Sequence, residues 1–211
     1  MTNIEKRINE IETKLKELFS PVLKYSNIRP IDDPNYNKKL QKRREDAGYD
    51  VWCSYCDDKT NGKLNNGNVF MNLDSQGHVT IKIPQFVTGI IPLGIATAID
   101  ADFALSLKHE RSSVGSKGLF VNAGLVDSGY RNGWNIVITP IAGDLIITSK
   151  TDEVKVEKHL SGKKTIYYPY NKAIGQVVVI HNIDSTSEEI DYEELKSIKS
   201  ERGLGGFGST N

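Results

Sequence analysis

The stretch GIIPLGIATAI, residues 89–99, decides the fold class, since it has the composition of β-strand structure. Isoleucine and threonine favour a pleated, half-buried surface, whereas proline and glycine interrupt regular structure. The stretch FALSLK, residues 103–108, follows closely and has the same character. Such short runs, bounded by turn residues, indicate strands rather than helices.

Similar stretches continue on both sides of this one. They are rich in valine, isoleucine and threonine, and glycine, proline or asparagine often falls between them. They are HVTIKI at 78–83, WNIVITPI at 134–141, DLIITS at 144–149, TIYYPY at 165–170 and QVVVI at 176–180. Because no long amphipathic helix separates them, the pattern predicts an all-β sandwich or barrel and not an alternating βαβ fold.

An amphipathic helix is predicted near the N-terminus, over residues 4–19. Its apolar residues are spaced by 4, 3, 4 and 3 positions, and they are Ile4, Ile8, Ile11, Leu15 and Leu18. So narrow a stripe is typical of a coiled-coil seam, although two heptads are marginally stable alone. Two interpretations are open: a surface helix docked on its own domain, or a short oligomeric bundle. Pro21 ends the helix, and residues 26–44 are expected as a loop or extended arm.

The composition excludes several classes of protein. The 211 residues include 27 basic and 27 acidic side chains, so no overall field favours nucleic acid or an anionic membrane. The apolar runs are far shorter than the roughly 18 residues of a membrane span, and the charged N-terminus is not a signal peptide. Two cysteines do not form a disulfide framework. We therefore expect a cytoplasmic protein without nucleic-acid or membrane partners.

The segment SERGLGGFGSTN, residues 200–211, has an unusual composition. Its four glycines permit backbone conformations in which successive N–H groups converge on an anion. Arg202, Ser209 and Thr210 add phosphate donors, and Phe207 offers a flat face for stacking. The G-x-G-x-x-G spacing is present, but no helix can follow it, which excludes a Rossmann site. The alternative is a disordered tail.

A second polar loop, ERSSVGSKGL at 110–119, follows a predicted strand. Arg111, Ser112 and Ser113 suit an oxyanion or a phosphate, although the loop lacks the Walker signature. Taken alone, such a loop is more often an ordinary polar turn.

Three further candidates are single polar residues in or beside predicted strands. Asp127 lies in a strand–turn–strand setting between Gly124 and Gly129, where it is either a turn cap or a general base with Tyr130 as a platform. The other two are a carboxylate at the start of a strand and an amide within one, Asp50 and Gln176.

Taken in order, these segments resemble the trimeric deoxyuridine triphosphatase (dUTPase) family. The series is AGYD, then RSS with KGL, then G-L-V-D-S-G-Y-R, then I-G-Q-V, and last RGLGGFGST. The third and fifth are the specific ones, and together the five cover residues 46–211. The resemblance implies a jelly-roll-like β-domain at 46–181, preceded by the helix and polar linker at 1–45. A connector and flexible C-terminal arm follow at 182–211.

The resemblance also implies a function, the hydrolysis of dUTP to dUMP and pyrophosphate in a homotrimer with shared sites. Asp50 matches the aspartate that holds Mg²⁺ through water, and Asp127 matches the general base for water attack on the α-phosphate. Tyr130 matches the tyrosine that stacks on the deoxyribose. The other matching positions form the substrate-binding set: Arg111, Ser112, Ser113, Gly124, Gln176, Arg202, Phe207, Gly208, Ser209 and Thr210.

The chain departs from the family pattern in four places. Glu110 stands where the second motif usually has proline, and Asn171-Lys172-Ala173 stands where the fourth usually has Gly-Asp-Arg. Residues 141–170 exceed what a minimal member needs and are expected as an extended insertion, and the N-terminal 45 residues have no counterpart. Insertions of this kind are similar to those of some phage-encoded members.

Three competing interpretations are considered. The related dCTP deaminases share the fold, but they carry an arginine where this chain has Ser116 and a glutamate where it has Val137. A regulatory or binding protein built on a dUTPase scaffold would use the insertions to bind a protein partner. Cys53 and Cys56 form half of a possible zinc site, but no second pair exists, which favours ordinary thiols.

Overall fold

The computed structural model describes residues 3–108, 112–183 and 185–199. Four helices lie within those residues: α1 Asn3–Phe19, α2 Asp58–Asn65, α3 Ser112–Gly115 and α4 Tyr192–Ser197. Fourteen strands lie there as well: β1 Lys24–Asn27, β2 Tyr49–Val51, β3 Phe70–Leu73, β4 Val79–Ile83, β5 Gly89–Pro92, β6 Ile95–Ala98, β7 Phe103–Lys108, β8 Leu119–Ala123, β9 Leu125–Val126, β10 Asn135–Pro140, β11 Asp144–Thr148, β12 Lys155–Lys158, β13 Lys164–Pro169 and β14 Gly175–His181.

The strands form four small sheets around one apolar core. Their orders are β12-β13-β11-β4-β3, β2-β14-β7-β9, β5-β10-β8 and β1-β6. All described pairs are antiparallel except β11 with β13. Each strand expected from the sequence is present, and the all-β, jelly-roll-like prediction is confirmed. No described helix is long and apolar enough to cross a membrane.

Alternating side chains of the strands build the core. In β4 the residues at alternate positions, Val79, Ile81 and Ile83, are fully buried, and the residues between them are partly or fully exposed. In β10 the same alternation buries Ile136 and Ile138. This period of two is the expected pattern for strands that place one face against a core.

Residues 141–170, expected as an extended insertion, are built into the five-stranded sheet. They supply β11, β12 and β13, and β11 hydrogen-bonds to both β4 and β13. Leu145, Ile147 and Tyr168 are fully buried. Because β11 and β13 are parallel neighbours, the chain must travel back along the sheet between them, and β12 makes this return on the outer edge. The segment therefore contributes to the core.

Residues 26–44, expected as a loop or extended arm, pack closely on the β-domain. Strand β1 pairs with β6, and Asp33 is buried, accepting hydrogen bonds from the hydroxyls of Ser54, at 2.7 Å, and Tyr170, at 3.0 Å. The buried Asn35 amide donates to the carbonyls of Cys53 and Tyr170. The buried Asp33 and Asn35 side chains are thus hydrogen-bonded inside the protein, whereas most other polar side chains of the segment are exposed.

The predicted N-terminal helix is confirmed as α1, and the three other described helices, α2, α3 and α4, were not expected. Asp57 caps α2, since its side chain accepts from the Thr60 N–H at 2.8 Å. Asp191 caps α4 in the connector in the same way, through Glu193. Helix α4 shortens a connector that would span roughly 60 Å if fully extended.

Candidate active site

Two of the sequence-predicted site residues lie side by side. Asp50 in β2 and Gln176 in β14 are direct cross-strand partners, and the Gln176 amide Nε2 donates to Asp50 Oδ1 at 3.1 Å. Both side chains are half-buried. The two residues are 126 positions apart in the sequence, so this contact comes from the sheet alone.

The second polar loop begins at the same point of the sheet. Gln176 is also the cross-strand partner of Lys108, the last residue of β7. Arg111, predicted to contact phosphate, lies outside the described residues, and the chain resumes with Ser112 at the start of α3. The buried Val114 anchors this turn to the core. The Asp50 carboxylate and the Gln176 amide therefore lie beside the end of β7 that leads into the polar loop.

Gly124 marks the point where the chain passes from one sheet to another. Strand β8 before it pairs with β10, whereas β9 after it pairs with β7. The Gly124 carbonyl accepts a hydrogen bond from the Leu107 N–H, and a Cβ at position 124 would lie 2.3 Å from the Leu107 carbonyl oxygen. No other residue fits this close backbone approach.

Asp127 and Tyr130 lie in the turn between β9 and β10. Asp127 follows β9 directly and its side chain is exposed. The Tyr130 N–H donates to the Asp127 backbone carbonyl at 3.1 Å, and the Tyr130 hydroxyl donates to the Gly133 carbonyl at 3.3 Å. Tyr130 is 40% exposed.

Two residues that sequence reasoning gave no role hold this turn in place. The Arg131 guanidinium reaches back to the carbonyls of Ser128 and Thr97, so it ties the turn to β6. The indole of Trp134 is buried, and its backbone N–H donates to the Ile95 carbonyl at 2.8 Å. Arg131 and Trp134 both follow Asp127 within the hairpin segment. Their spacing in the sequence does not show whether a residue supports the turn or contacts a ligand.

The structure does not bring Asp127 close to Asp50 within one chain. The strands that carry them, β9 and β2, are the two edges of the four-stranded sheet, with β7 and β14 between them. Three strand spacings of about 4.8 Å separate the edges by roughly 14 Å. Asp127 also lies beyond the Leu105–Val126 pair, away from the end of β7 that faces Gln176. The two predicted carboxylates are therefore separated within one chain.

Asp50 fits a magnesium ion held mainly through water. Among the described residues, no group of three or more His, Cys, Asp or Glu side chains could hold a metal directly. Mg²⁺ keeps several waters and typically takes one or two carboxylates together with substrate phosphates. A single half-buried carboxylate next to a phosphate-suited loop matches that mode of binding.

The two cysteines have environments unsuited to zinc. Burial raises the pKa of the Cys53 thiol far above its usual range. Cys56 is half-buried, and burial together with the Asp57 and Asp58 carboxylates raises the pKa of its thiol to about 11. Zinc binds the thiolate, so both shifts disfavour ligation.

The glycine-rich segment lies outside the described residues. This applies to the predicted substrate contacts of the C-terminal arm: Arg202, Phe207, Gly208, Ser209 and Thr210. Their roles remain predictions.

The fold resembles solved dUTPases. The dUTPase of Staphylococcus bacteriophage 80alpha, solved with dUPNHPP, superimposes with a TM-score of 0.58 at 18% identity, covering 90% of this chain and 98% of that chain. A mutant dUTPase from phage phi11 of S. aureus, described with a structural Mg(II) ion, gives a TM-score of 0.52 at 15% identity, covering 82% and 99%. At these identities the likeness establishes the fold, so this chain has a dUTPase-type β-fold. The resemblance to dUTPases found in the sequence is therefore confirmed at the level of the fold.

Two viral polyproteins are similar in sequence. The Pol polyprotein of Ovine maedi visna related virus (strain South Africa) is 26% identical over 178 residues, covering 81% of this chain. The Pol polyprotein of Caprine arthritis encephalitis virus (strain Cork) is 25% identical over the same length. This chain spans 11% of the length of each. No model of a known protein family matches the chain.

Proposed function

We propose that this protein hydrolyses dUTP to dUMP and pyrophosphate. The observation that carries the proposal is the Asp50–Gln176 hydrogen bond, at the end of the strand that leads into the 110–119 loop. Residues matching the first and fourth dUTPase motifs are thereby in contact, and the second motif begins beside them. A dUTPase of the same fold was solved with dUPNHPP, a dUTP analogue, which supports a deoxyuridine triphosphate as the substrate.

In the proposed reaction Asp127 is the general base. Its carboxylate takes a proton from a water molecule as that water attacks the α-phosphorus of dUTP. The bond from the α-phosphorus to the bridging oxygen breaks, and pyrophosphate leaves. A positioned base of this kind contributes about 10² to 10⁴ in rate. The exposure of Asp127 keeps the carboxylate accessible to water, and the braced turn fixes its position.

The other residues bind and orient the substrate. Asp50 would hold Mg²⁺ through water, and the ion, when bound, offsets the charge that develops on the phosphates. Gln176 keeps the Asp50 carboxylate in place and contacts phosphate with Arg111. Tyr130 stacks on the deoxyribose and leaves no room for a 2′-hydroxyl. The C-terminal arm, with Phe207 over the uracil, closes the site.

The site is proposed to be shared between subunits of a homotrimer. Asp127 and Asp50 lie on opposite edges of one sheet, and this separation supports a site that takes the two carboxylates from different chains. A closed ring of copies would place the Asp127 turn of one chain against the Asp50 edge of the next.

The test is a substrate panel with two readouts. Pyrophosphate release is measured with dUTP, dCTP, dTTP and UTP, each with and without Mg²⁺, and ammonia release is measured with dCTP. We expect pyrophosphate from dUTP, stimulated by Mg²⁺, and little from the other nucleotides. Ammonia from dCTP would instead indicate a deaminase, although Val137, where that activity needs an acid, lies within the apolar strand β10. Absence of both products would refute the proposal.

A second role in protein binding is favoured by the β12–β13 turn. Its tip exposes Leu160 completely, and exposed lysines lie in the turn and its two strands at Lys155, Lys158, Lys163 and Lys164. Leu160→Ser should reduce capture of a protein partner while leaving dUTP hydrolysis unchanged. Equal capture by both forms would remove this turn as a binding surface.

A further inference from the structure

Helix α1 has no buried face over the part whose side chains are described. Every described side chain from Asn3 to Lys16 is exposed, including Ile4 at 70%, Ile8 at 49% and Ile11 at 58%. A helix of this length is marginal in water unless an apolar face is covered. The apolar stripe therefore needs a partner.

The apolar stripe identifies the heptad positions. Ile8 and Leu15 occupy the a positions, and Ile4, Ile11 and Leu18 occupy the d positions. Two-stranded coiled coils prefer leucine at d, whereas isoleucine at d favours three or four strands. Since the first two d positions here are isoleucine, the seam is suited to more than two helices.

The charged residues beside the seam specify the relative direction of the helices. Arg7 and Lys14 occupy g positions, and Glu5 and Glu12 occupy e positions. In a parallel coiled coil a g residue faces the e residue five positions further along its neighbour, so Arg7 meets Glu12 of a second copy. In an antiparallel pair Arg7 would face Lys14 and Glu5 would face Glu12, and both contacts are repulsive.

The β-domain of the same chain can bury only part of the apolar stripe of α1. A groove of about 970 Å³ lies between α1 and the β-domain, and its apolar lining includes Ile11, Leu15, Val22, Ile99 and Phe103. Ile4 and Ile8 do not line it. Docking into this groove would leave the first half of the seam uncovered, whereas further copies of the helix would cover all of it.

We propose that α1 packs against the α1 helices of two further copies as a parallel three-stranded coiled coil. A rotation axis parallel to the helices relates such copies, which is the symmetry of a closed cyclic trimer. This assembly does not depend on the proposed chemistry, because its contacts are confined to the N-terminal helix.

The first test is hydrogen exchange of residues 3–16 in the full-length protein at low salt. Arg7→Glu alone and Glu12→Arg alone should each reduce protection by about two- to fivefold, since each places like charges together. The double variant Arg7→Glu/Glu12→Arg should restore it. Increased protection in the single variants would indicate antiparallel helices. Equal protection in all forms would indicate docking on the chain's own domain, and either result overturns the proposal.

The second test is cysteine cross-linking, which reports contact between chains directly. Ile11→Cys places a thiol in the seam and should form an interchain disulfide under mild oxidation. Thr13→Cys, on the opposite face, is the matched control and should not. Cross-linking should disappear when Ile8→Gln and Leu15→Gln are added, whereas Lys6→Gln with Lys16→Gln should preserve it. Equal cross-linking at positions 11 and 13 would contradict the assigned seam.

Discussion

Backbone contacts and two side chains fix the turn that presents Asp127. Arg131 ties it to the Thr97 carbonyl, and Trp134 anchors the following strand. The carboxylate is thus exposed on a rigid support, which suits a base that must meet a water molecule in one geometry.

Asp127→Asn should keep the fold and substrate binding while losing turnover. The side chain is nearly isosteric, and the change removes only the capacity to accept a proton. We expect the rate of pyrophosphate release to fall by more than about 10², with dUTP affinity by calorimetry unchanged. A rate within about tenfold of the parent would show that another group is the base.

Tyr130→Ala should relax the discrimination against UTP. The ring crowds the ribose 2′ position in the proposed site, so its loss admits the additional hydroxyl. The measurement is the ratio of kcat/KM for dUTP to that for UTP. If the ratio is unchanged while the protein stays folded, Tyr130 does not contact the sugar.

Gly124→Ala should destabilise the protein, because the new methyl group would meet the Leu107 carbonyl oxygen at 2.3 Å. Overlaps of this kind cost about 1–3 kcal/mol in the free energy of unfolding. Gly129→Ala is the matched control, since no atom lies within 4 Å of a Cβ at that position. Similar urea midpoints for the two variants would mean that the backbone at position 124 shifts freely.

At the scale of elements, residues 141–170 include both buried and exposed side chains. One pair of substitutions compares what the two kinds contribute to stability. Ile147 in β11 is fully buried, so Ile147→Ala should cost about 2–5 kcal/mol in the free energy of unfolding. Leu160 at the β12–β13 turn is fully exposed, so Leu160→Ala should change it by less than about 0.5 kcal/mol. Equal effects in chemical denaturation would show that the buried side chains of β11 do not contribute to the stability of the core.

At the scale of the whole molecule, complementation between inactive variants tests the shared site. Asp50→Asn and Asp127→Asn are each assayed alone and then unfolded and refolded together in equal amounts. If a site takes its two carboxylates from different chains, each is intact half of the time, and about a quarter of the sites recover. No recovery, with mixed assemblies shown by native mass spectrometry, would place both carboxylates of a site in one chain.

The sequence alone predicted the elements whose signal is local. Strand structure at 89–99 and in the neighbouring stretches was predicted because runs of β-branched residues bounded by turn residues are visible within a few positions. The same holds for α1, whose stripe repeats over its length. The candidate residues Asp50, Asp127 and Gln176 were identified from the order of motifs. The sequence could also predict their chemistry, because this depends on which side chain is present.

Only the tertiary structure decided which of these residues meet. The contact between Asp50 and Gln176 joins positions 126 residues apart, and the separation of Asp127 from them follows from strand order. Asp33 lies in a segment with the composition of a polar arm, yet it is buried because the hydroxyls of Ser54 and Tyr170 donate hydrogen bonds to its carboxylate. Strand pairing and burial depend on contacts between distant parts of the chain, and no local pattern contains them.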